Sequence, residues 1–427
     1  MKKIYKKTER KLKTTFRSLK YRNYRLFFFG QSISLIGTWV QRIAAPWLVY
    51  SITGSAFMLG FIGFIGQIPT LILSPYAGVV SDRVDKKKLL LLTQIGLMLQ
   101  ASILAFLALT ELLEIWHLVL LIIMHGIINS FDVPVRQAMV AEMVDDKEDL
   151  SNAIALNSTI FNGAKLVGPS LAGVLIALTG EGVCFLINAV SFIFVIASIL
   201  MMKLPPQEIK PSNKSTLTNL KEGWNYTFGF RPIRNIILLM VSINLFGMIY
   251  VVLMPVVAKQ GLAGGSNTFG SLMAATGVGA LIGAMYLASR KTALGLARLI
   301  YKAVAVFALG LIGFAFSQNF SLSLVLMVIT GLGMMLSTAS GNTVIQTLAD
   351  DDKRGRVMSY YSLAFIGTAP IASLLSGWLA DLIGASTTIF LSGLVVLLSG
   401  YLYWKDYPNI KGIIIDHYVK IGLMSKQ

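Results

Sequence analysis

The stretch GVVSDRVDKKK, from Gly78 to Lys88, decides the fold of this chain. It places a glycine, an Asp-Arg pair and three consecutive lysines between two long apolar segments. A charged side chain at the centre of a bilayer costs about 2.5 to 3.5 kcal/mol, so a run of charges does not remain in hydrocarbon. The stretch therefore marks a point at which the chain leaves a membrane, turns and enters it again.

The composition of the flanking sequence agrees with a membrane location. Of the 427 residues, 55% are hydrophobic and only 13% are charged, which is too apolar for a soluble enzyme of this length. A membrane-spanning helix needs about 20 mostly apolar residues. Twelve such stretches begin near Tyr24, Ala56, Lys88, Trp116, Leu150, Val183, Asn235, Thr268, Leu299, Ser321, Val357 and Ser386. The sequence predicts an all-α membrane protein with twelve transmembrane helices.

The net charge of +17 would suggest a nucleic-acid partner if it lay on a soluble surface, but its distribution argues against one. With a cytoplasmic N-terminus and an even number of spans, all but four of the 37 Lys and Arg residues fall on the inside. The exceptions are Arg42, Arg136, Lys165 and Lys259. This asymmetry follows the positive-inside rule. We expect a multi-pass protein of the bacterial cytoplasmic (inner) membrane, with both termini cytoplasmic and no nucleic-acid partner.

The basic N-terminal tail, residues 1–23, contains no apolar core or cleavage site, so we do not expect it to be a removable signal peptide. Two interpretations remain open. The tail is either a basic helix that lies on anionic lipid or an ordinary segment that sets the topology.

The chain resembles itself at an offset of 205 residues. The offset pairs five sets of positions: Gly60 with Gly265, Gly78 with Gly283, Lys86 with Lys291, Gly126 with Gly331, and Asp145-Asp146 with Asp350-Asp351. We expect six-helix bundles at 24–202 and 235–404, a cytoplasmic linker at 203–234 and a cytoplasmic C-terminal tail at 405–427. Such a six-plus-six plan favours alternating access. A channel would be expected to show a repeated filter or a charge ring, and neither is present in the sequence.

The loop motif then suggests a family. Gly78-x-x-x-Asp82-Arg83-x-x-Lys86-Lys87 resembles the signature loop between the second and third helices of the major facilitator superfamily. The runs GQSISLIGTWVQ (30–41) and FDVPVRQ (131–137) are similar to a bacterial efflux branch that includes the enterobactin exporter and macrolide exporters. The resemblance implies the major facilitator fold, with two six-helix pseudo-repeats.

The same resemblance implies a conformational latch. In the family, the acid at the position of Asp82 engages the eleventh helix, while Arg83, Lys86 and Lys87 face the cytoplasm. In the second half, Leu287 occupies the position of Asp82, so the latch is expected on one side only.

Gly168, Pro169 and Gly173 in the fifth span resemble a helix motif of exporters of the antiport type. The alternative is packing alone, because small residues allow helices to approach closely and proline bends them.

Asp132 is the one acidic residue of 20 that falls within a predicted span. It shares a face of the fourth helix with His125, Asn129 and Arg136, because these residues follow spacings of three and four. Polar residues also line the first and fifth helices: Gln31, Ser34, Thr38, Gln41 and Arg42, and Ser158, Asn162 and Lys165. Ionisable groups at bilayer depth are costly, so we expect these three helices to form the coupling and substrate site.

We hypothesise that Asp132 pairs with Lys165 or Arg136. As a coupling carboxylate it would exchange a proton in competition with substrate; the alternative is a static ion pair that only compensates buried charge. Efflux relatives often carry Arg-x-x-Gln-Gly in the fourth helix, where this chain has Ile122-x-x-His125-Gly126. Their proton relay therefore cannot be transferred to this chain.

The expected function is secondary active transport, by proton-coupled export of an amphipathic, siderophore-like or drug-like small molecule. The expected cavity has two cations, Arg42 and Lys165, and one carboxylate, Asp132, so its charge is positive and suits an acidic or catecholate-like substrate. A lipid or lysophospholipid flippase and a proton symporter for uptake remain open. A membrane-embedded enzyme is a remote alternative, because paired acids or a nucleophile near an interface are missing from the pattern.

No cofactor or metal is expected, and the protein is expected to be monomeric. A single cysteine, Cys184, and three scattered histidines do not match the ligand spacing of a metal site. Because the sequence contains no GxxxxGK[ST] motif, direct use of ATP is also unexpected.

Overall fold

A computed structural model describes residues 16–204, 224–290, 292–350, 353–421 and 423–424. Every regular element in these ranges is a helix. A short 3-10 helix, Arg17–Lys20, precedes the first half. The helices of that half are α1 (Arg22–Thr53), α2 (Ala56–Arg83), α3 (Lys86–Leu109), α4 (Ile115–Glu142), α5 (Lys147–Thr179) and α6 (Glu181–Met201).

The second half also contributes six helices. They are α7 (Arg231–Gly261), α8 (Ser266–Ser289), α9 (Leu296–Phe316), α10 (Phe320–Leu348), α11 (Arg354–Ile383) and α12 (Ala385–Lys420). Helix α7 contains two π-helical turns, Ile243–Gly247 and Val257–Gly261. Helix α11 is interrupted between Ile366 and Ala369.

The predicted all-α fold with twelve helices is confirmed, and each helix begins within four residues of its predicted start. Within the described residues, eleven of the helices are long and apolar enough to cross a membrane. The first, α1, has 32 residues but is not among the eleven. Its polar residues, which include Gln31, Gln41 and Arg42, lower its mean hydropathy.

Residues 405–420, predicted as part of a C-terminal tail, continue helix α12. They remain helical because one face is buried, with Ile410, Ile414 and Tyr418 each at most 4% exposed. Arg231 forms an ion pair with Asp406 and so ties the start of α7 to this extension. Most of the predicted tail is therefore a packed helix.

Residues 1–15 of the predicted N-terminal tail and 205–223 of the predicted linker lie outside the described residues. The described remainder of the linker is helical at 224–229, and α7 begins at Arg231.

The chain divides into two compact units, Met1–Leu48 with Ile65–Ser212, and Val49–Phe64 with Asn213–Gln427. Residues 49–64 belong to the first half in sequence, yet they pack with the second unit. One close contact within that unit joins small residues: a Cβ added to Gly60 would lie 2.7 Å from the Cα of Gly377. This division differs from the predicted boundary, which placed 49–64 in the first bundle.

The glycine pair Gly126 and Gly331 has the same packing role in its own unit. A Cβ on Gly126 in α4 would collide with the Gly66 carbonyl of α2, and one on Gly331 in α10 would collide with the Thr276 carbonyl of α8. Each glycine therefore brings two backbones into direct contact. The sequence repeat thus corresponds to the same helix crossing in both units.

Candidate functional site

Asp132 on α4 is 3% exposed and is held by three donors. Thr93 Oγ1 and Gln94 Nε2, both on α3, donate to its Oδ1 at 3.0 and 2.6 Å. Arg136 Nε, one turn along α4, donates to its Oδ2 at 3.2 Å. Both carboxylate oxygens are therefore hydrogen-bonded in the interior. Of the two partners hypothesised for Asp132, the structure shows Arg136.

Thr93 and Gln94 were not among the predicted site residues. A signal for them exists, because they form the adjacent polar pair in KKKLLLLTQIG (86–96), a segment otherwise apolar after its lysines. A polar pair in an apolar helix is explained if its side chains form hydrogen bonds to a charged group inside the membrane. Which face of α3 meets α4 follows only from the packing of the two helices.

The polar residues of α1 point in different directions. Gln41 is buried in a network with α3 and α6: its Nε2 donates to Gln100 Oε1 at 3.2 Å, and Asn188 Nδ2 donates to its Oε1 at 2.8 Å. Gln31 is also buried, and its Oε1 has no hydrogen-bond partner among the described residues. The structure therefore places Gln41 in a helix-packing network rather than beside Asp132.

Arg42, the next residue along α1, has an exposed side chain. Its guanidinium lies 4.9 Å from the centre of the Trp39 ring. Trp39 in turn contacts Phe161 of α5 edge to face, at 5.9 Å between ring centres, and its Cβ packs on Gly168. Gly168 therefore has a packing role, since any side chain there would push α5 away from α1.

Lys165 lies one turn before Gly168 on α5 and is partly exposed. It interacts electrostatically with Arg42. Within the described part of the chain, neither cation forms an ion pair with a carboxylate. The structure thus separates the predicted site into a paired charge, Asp132 with Arg136, and two unpaired cations.

His125 is near enough to both groups of charges to interact electrostatically with Arg42 and with Asp132. Its Nδ1 is buried and has no hydrogen-bond partner among the described residues. Asn129 lies one turn further along α4 and is partly buried. The side chain of Asn162 lies outside what the structure describes.

The predicted latch loop is anchored to its own unit. Lys86 Nζ lies 2.5 Å from Glu142 Oε1 at the end of α4, and Lys87 Nζ donates to the Met202 carbonyl after α6 at 2.6 Å. These two lysines therefore hold the start of α3 against α4 and α6.

The remaining latch residues are less constrained. Arg83 is exposed, and the surroundings of Gly78 are open. The side chain of Asp82 lies outside the described residues, so its engagement with the eleventh helix stays a prediction.

The other predicted motif, Gly168, Pro169 and Gly173, lies inside the continuous helix α5. As for metals, the described residues contain no group of three or more His, Cys, Asp or Glu side chains that could hold an ion.

Comparison with known proteins identifies the family. The family model described as "Transmembrane secretion effector" matches residues 13–410. The chain belongs to this family of the major facilitator superfamily. Among its relatives in the superfamily, it is 27% identical to the staphyloferrin A transporter of Staphylococcus aureus, over 90% of this chain and 96% of the relative. It is 21% identical to macrolide efflux protein A of Streptococcus pyogenes, over 88% and 95% of the two chains.

Solved major facilitator structures share the fold. A bacterial homologue of the iron transporter ferroportin, in an inward-facing state, matches with a TM-score of 0.71 at 18% identity, over 90% of this chain and 98% of that one. Its family membership makes the protein a multi-pass membrane transporter of small molecules and not an enzyme.

Proposed function

We propose that this transporter exports an amphipathic small molecule, siderophore-like or drug-like, in exchange for protons. It works by alternating access as a monomer in the bacterial cytoplasmic membrane, with both termini in the cytoplasm. The names of two relatives, a staphyloferrin A transporter and a macrolide efflux protein, support transport of such molecules, and the second name supports export. The proton is the proposed coupling ion because one buried carboxylate has the contacts that proton exchange requires.

The observation that carries the proposal is the set of donors around Asp132. An ionised carboxylate accepts the hydrogen bonds from Thr93, Gln94 and Arg136. A protonated carboxyl has no charge and one of its oxygens becomes an O–H donor, so it accepts the hydrogen bond from Arg136 less strongly. Because Thr93 and Gln94 belong to α3 and Arg136 belongs to α4, binding a proton changes the contact between two helices.

A static ion pair would have the same geometry, so the test must separate the two roles. In inside-out membrane vesicles with an imposed pH gradient, we expect Asp132→Asn to abolish gradient-driven uptake of a macrolide or a siderophore. Exchange of labelled against unlabelled substrate, which needs no net proton movement, should continue. The matched control is Asp145→Asn, which neutralises an exposed carboxylate just beyond α4.

A purely structural role predicts different results. The double variant Asp132→Asn with Arg136→Gln removes both charges and would then recover gradient-driven transport. Recovery of that kind would overturn the proposal. Uptake in right-side-out vesicles would identify a symporter, and gradient-independent movement of labelled lysophospholipid would identify a flippase.

A further inference from the structure

Two cations within membrane-spanning helices have no carboxylate partner in the described structure. Arg42 on α1 and Lys165 on α5 interact electrostatically with each other, which is a repulsion. Unpaired charges at membrane depth are costly and usually line an ion or substrate pathway. Arg42 is surrounded by many protein atoms yet keeps an exposed side chain, so it borders an open space rather than a packed interior.

The two cations lie on either side of a fixed aromatic contact. Trp39 of α1 packs on Gly168 of α5, with Arg42 three residues after Trp39 and Lys165 three residues before Gly168. Alternate helices cross a membrane in the same direction, so α1 and α5 run parallel. The Cα atoms of the two cations are therefore separated by about 9 Å along the helix axes, from about 1.5 Å of rise per residue.

This contact also restrains the side chains. The guanidinium of Arg42 lies over the Trp39 ring, which is itself held by the ring of Phe161. A stacked guanidinium keeps its in-plane N–H groups free, and these match both oxygens of a carboxylate. Lysine presents a point charge on a flexible stem and adapts to a second anionic group.

We propose that Arg42 and Lys165 bind a substrate that carries at least two carboxylate groups. The proposal rests on the proposed transport function and names its substrate class. Asp132 does not neutralise these cations, because its oxygens are held by Thr93, Gln94 and Arg136. The polycarboxylate supplies the missing negative charge, and the exposed ring of Phe161 provides apolar surface beside it.

The test is calorimetric titration of the full-length protein in lipid nanodiscs, without a pH gradient. The probe is tricarballylate (propane-1,2,3-tricarboxylate), and its trimethyl ester is the uncharged control. We expect the acid to bind and the ester not to bind. Arg42→Gln and Lys165→Gln should each weaken binding about tenfold to a hundredfold, the usual worth of a hydrogen bond to a charged group. Arg42→Lys should retain part of the affinity.

The matched control is Arg25→Gln, which removes an exposed arginine near the start of the same helix. It should bind the probe as the wild type does. The unfolding temperature of the ligand-free protein provides a second measurement. If the cations serve the ligand, Arg42→Gln and Lys165→Gln leave it unchanged or raise it, because each removes an unpaired charge; a structural role predicts a lower temperature.

The proposal is overturned if the ester binds as well as the acid, if the wild type binds neither, or if Arg42→Gln behaves like Arg25→Gln. These results are independent of proton coupling. A wild type that exports a macrolide with the pH gradient but does not bind tricarballylate keeps the proposed function and loses this substrate class. A wild type that binds tricarballylate but shows no gradient-driven transport keeps this substrate class and loses the proposed proton-coupled export.

Discussion

Helices α4 and α10 occupy equivalent places in the two sequence repeats but differ in chemistry. The offset of 205 that pairs Gly126 with Gly331 also pairs Asp132 with Ser337. Asp132 reaches across to α3 and is held by donors there. Ser337 bonds back to the Met334 carbonyl of its own helix at 2.9 Å.

Two further pairs of positions show the same difference between an ionisable residue on α4 and an uncharged residue on α10. His125 corresponds to Thr330, which donates to the Leu326 carbonyl within α10 at 2.8 Å. Arg136 corresponds to Gly341, which lies against the side chain of Met240. The two helices therefore keep the same crossing, while ionisable groups occur on this face of α4 and small residues occur on that of α10. The helix crossing in this fold therefore does not depend on the ionisable residues.

The largest expected effect concerns the charge pair itself. Arg136→Ala leaves the buried Asp132 carboxylate without its cation, and removing one partner of a buried pair costs about 3 to 5 kcal/mol. The equivalent change in the second half, Ser337→Ala, should cost far less, because it removes only a bond to the same helix. Chemical unfolding of both variants in detergent measures the difference. Equal losses in the free energy of unfolding would show that Asp132 does not depend on Arg136 for the stability of the fold.

A smaller effect, equal in both halves, is expected at the repeated glycines. Gly126→Ala and Gly331→Ala each force a methyl group onto a carbonyl of the neighbouring helix. Overpacking of this kind typically costs about 1 to 3 kcal/mol. Gly163→Ala is the control, because nothing lies within 4 Å of the added methyl group. Thermal unfolding compares the three, and a loss in only one of the repeated positions would contradict the shared crossing.

The smallest effect concerns Lys20, the last residue of the short 3-10 helix that precedes α1. Lys20 Nζ lies 2.6 Å from Asp149 Oδ2, and this hydrogen bond raises the pKa of Lys20 above its usual 10.5. A raised pKa stabilises the fold below pH 10.5, and the gain is lost as the pH rises through the folded-state value. We therefore expect Lys20→Gln to be slightly less stable than the wild type at pH 8 and equal to it above the Lys20 pKa. Thermal unfolding across pH 8 to 12 tests this; a difference that persists at high pH contradicts it.

The parts of the molecule that the sequence predicted well are those that depend on hydrophobicity along the chain. Helix starts followed from apolar runs of sufficient length, and the repeat followed from paired glycines. The burial of Asp132 was also predictable. A lone acid in an apolar helix avoids the lipid and turns toward the few residues that can pair with its charge.

The features that the sequence did not predict concern the direction of side chains around a helix and the contacts between distant segments. Gln41 and Arg42 are adjacent in sequence, yet one packs against Gln100 and Asn188 and the other borders open space. The helical continuation of α12 to Lys420 depends on burial of Ile410 and Ile414. Neither outcome can be obtained from periodicity, because both depend on which neighbour packs on a given face.

The sequence by itself determined the membrane class, the twelve helices, the internal repeat and the residues able to carry charge inside the bilayer. It did so because the cost of placing polar groups in hydrocarbon acts on each residue locally. The tertiary structure decided which charges are paired. It brought Thr93 and Gln94 onto Asp132 and engaged Lys86 and Lys87 within their own unit. Among the described residues, it gave Arg42 and Lys165 no carboxylate partner. Pairing depends on distances of a few ångströms between helices, and these arise only when the helices pack.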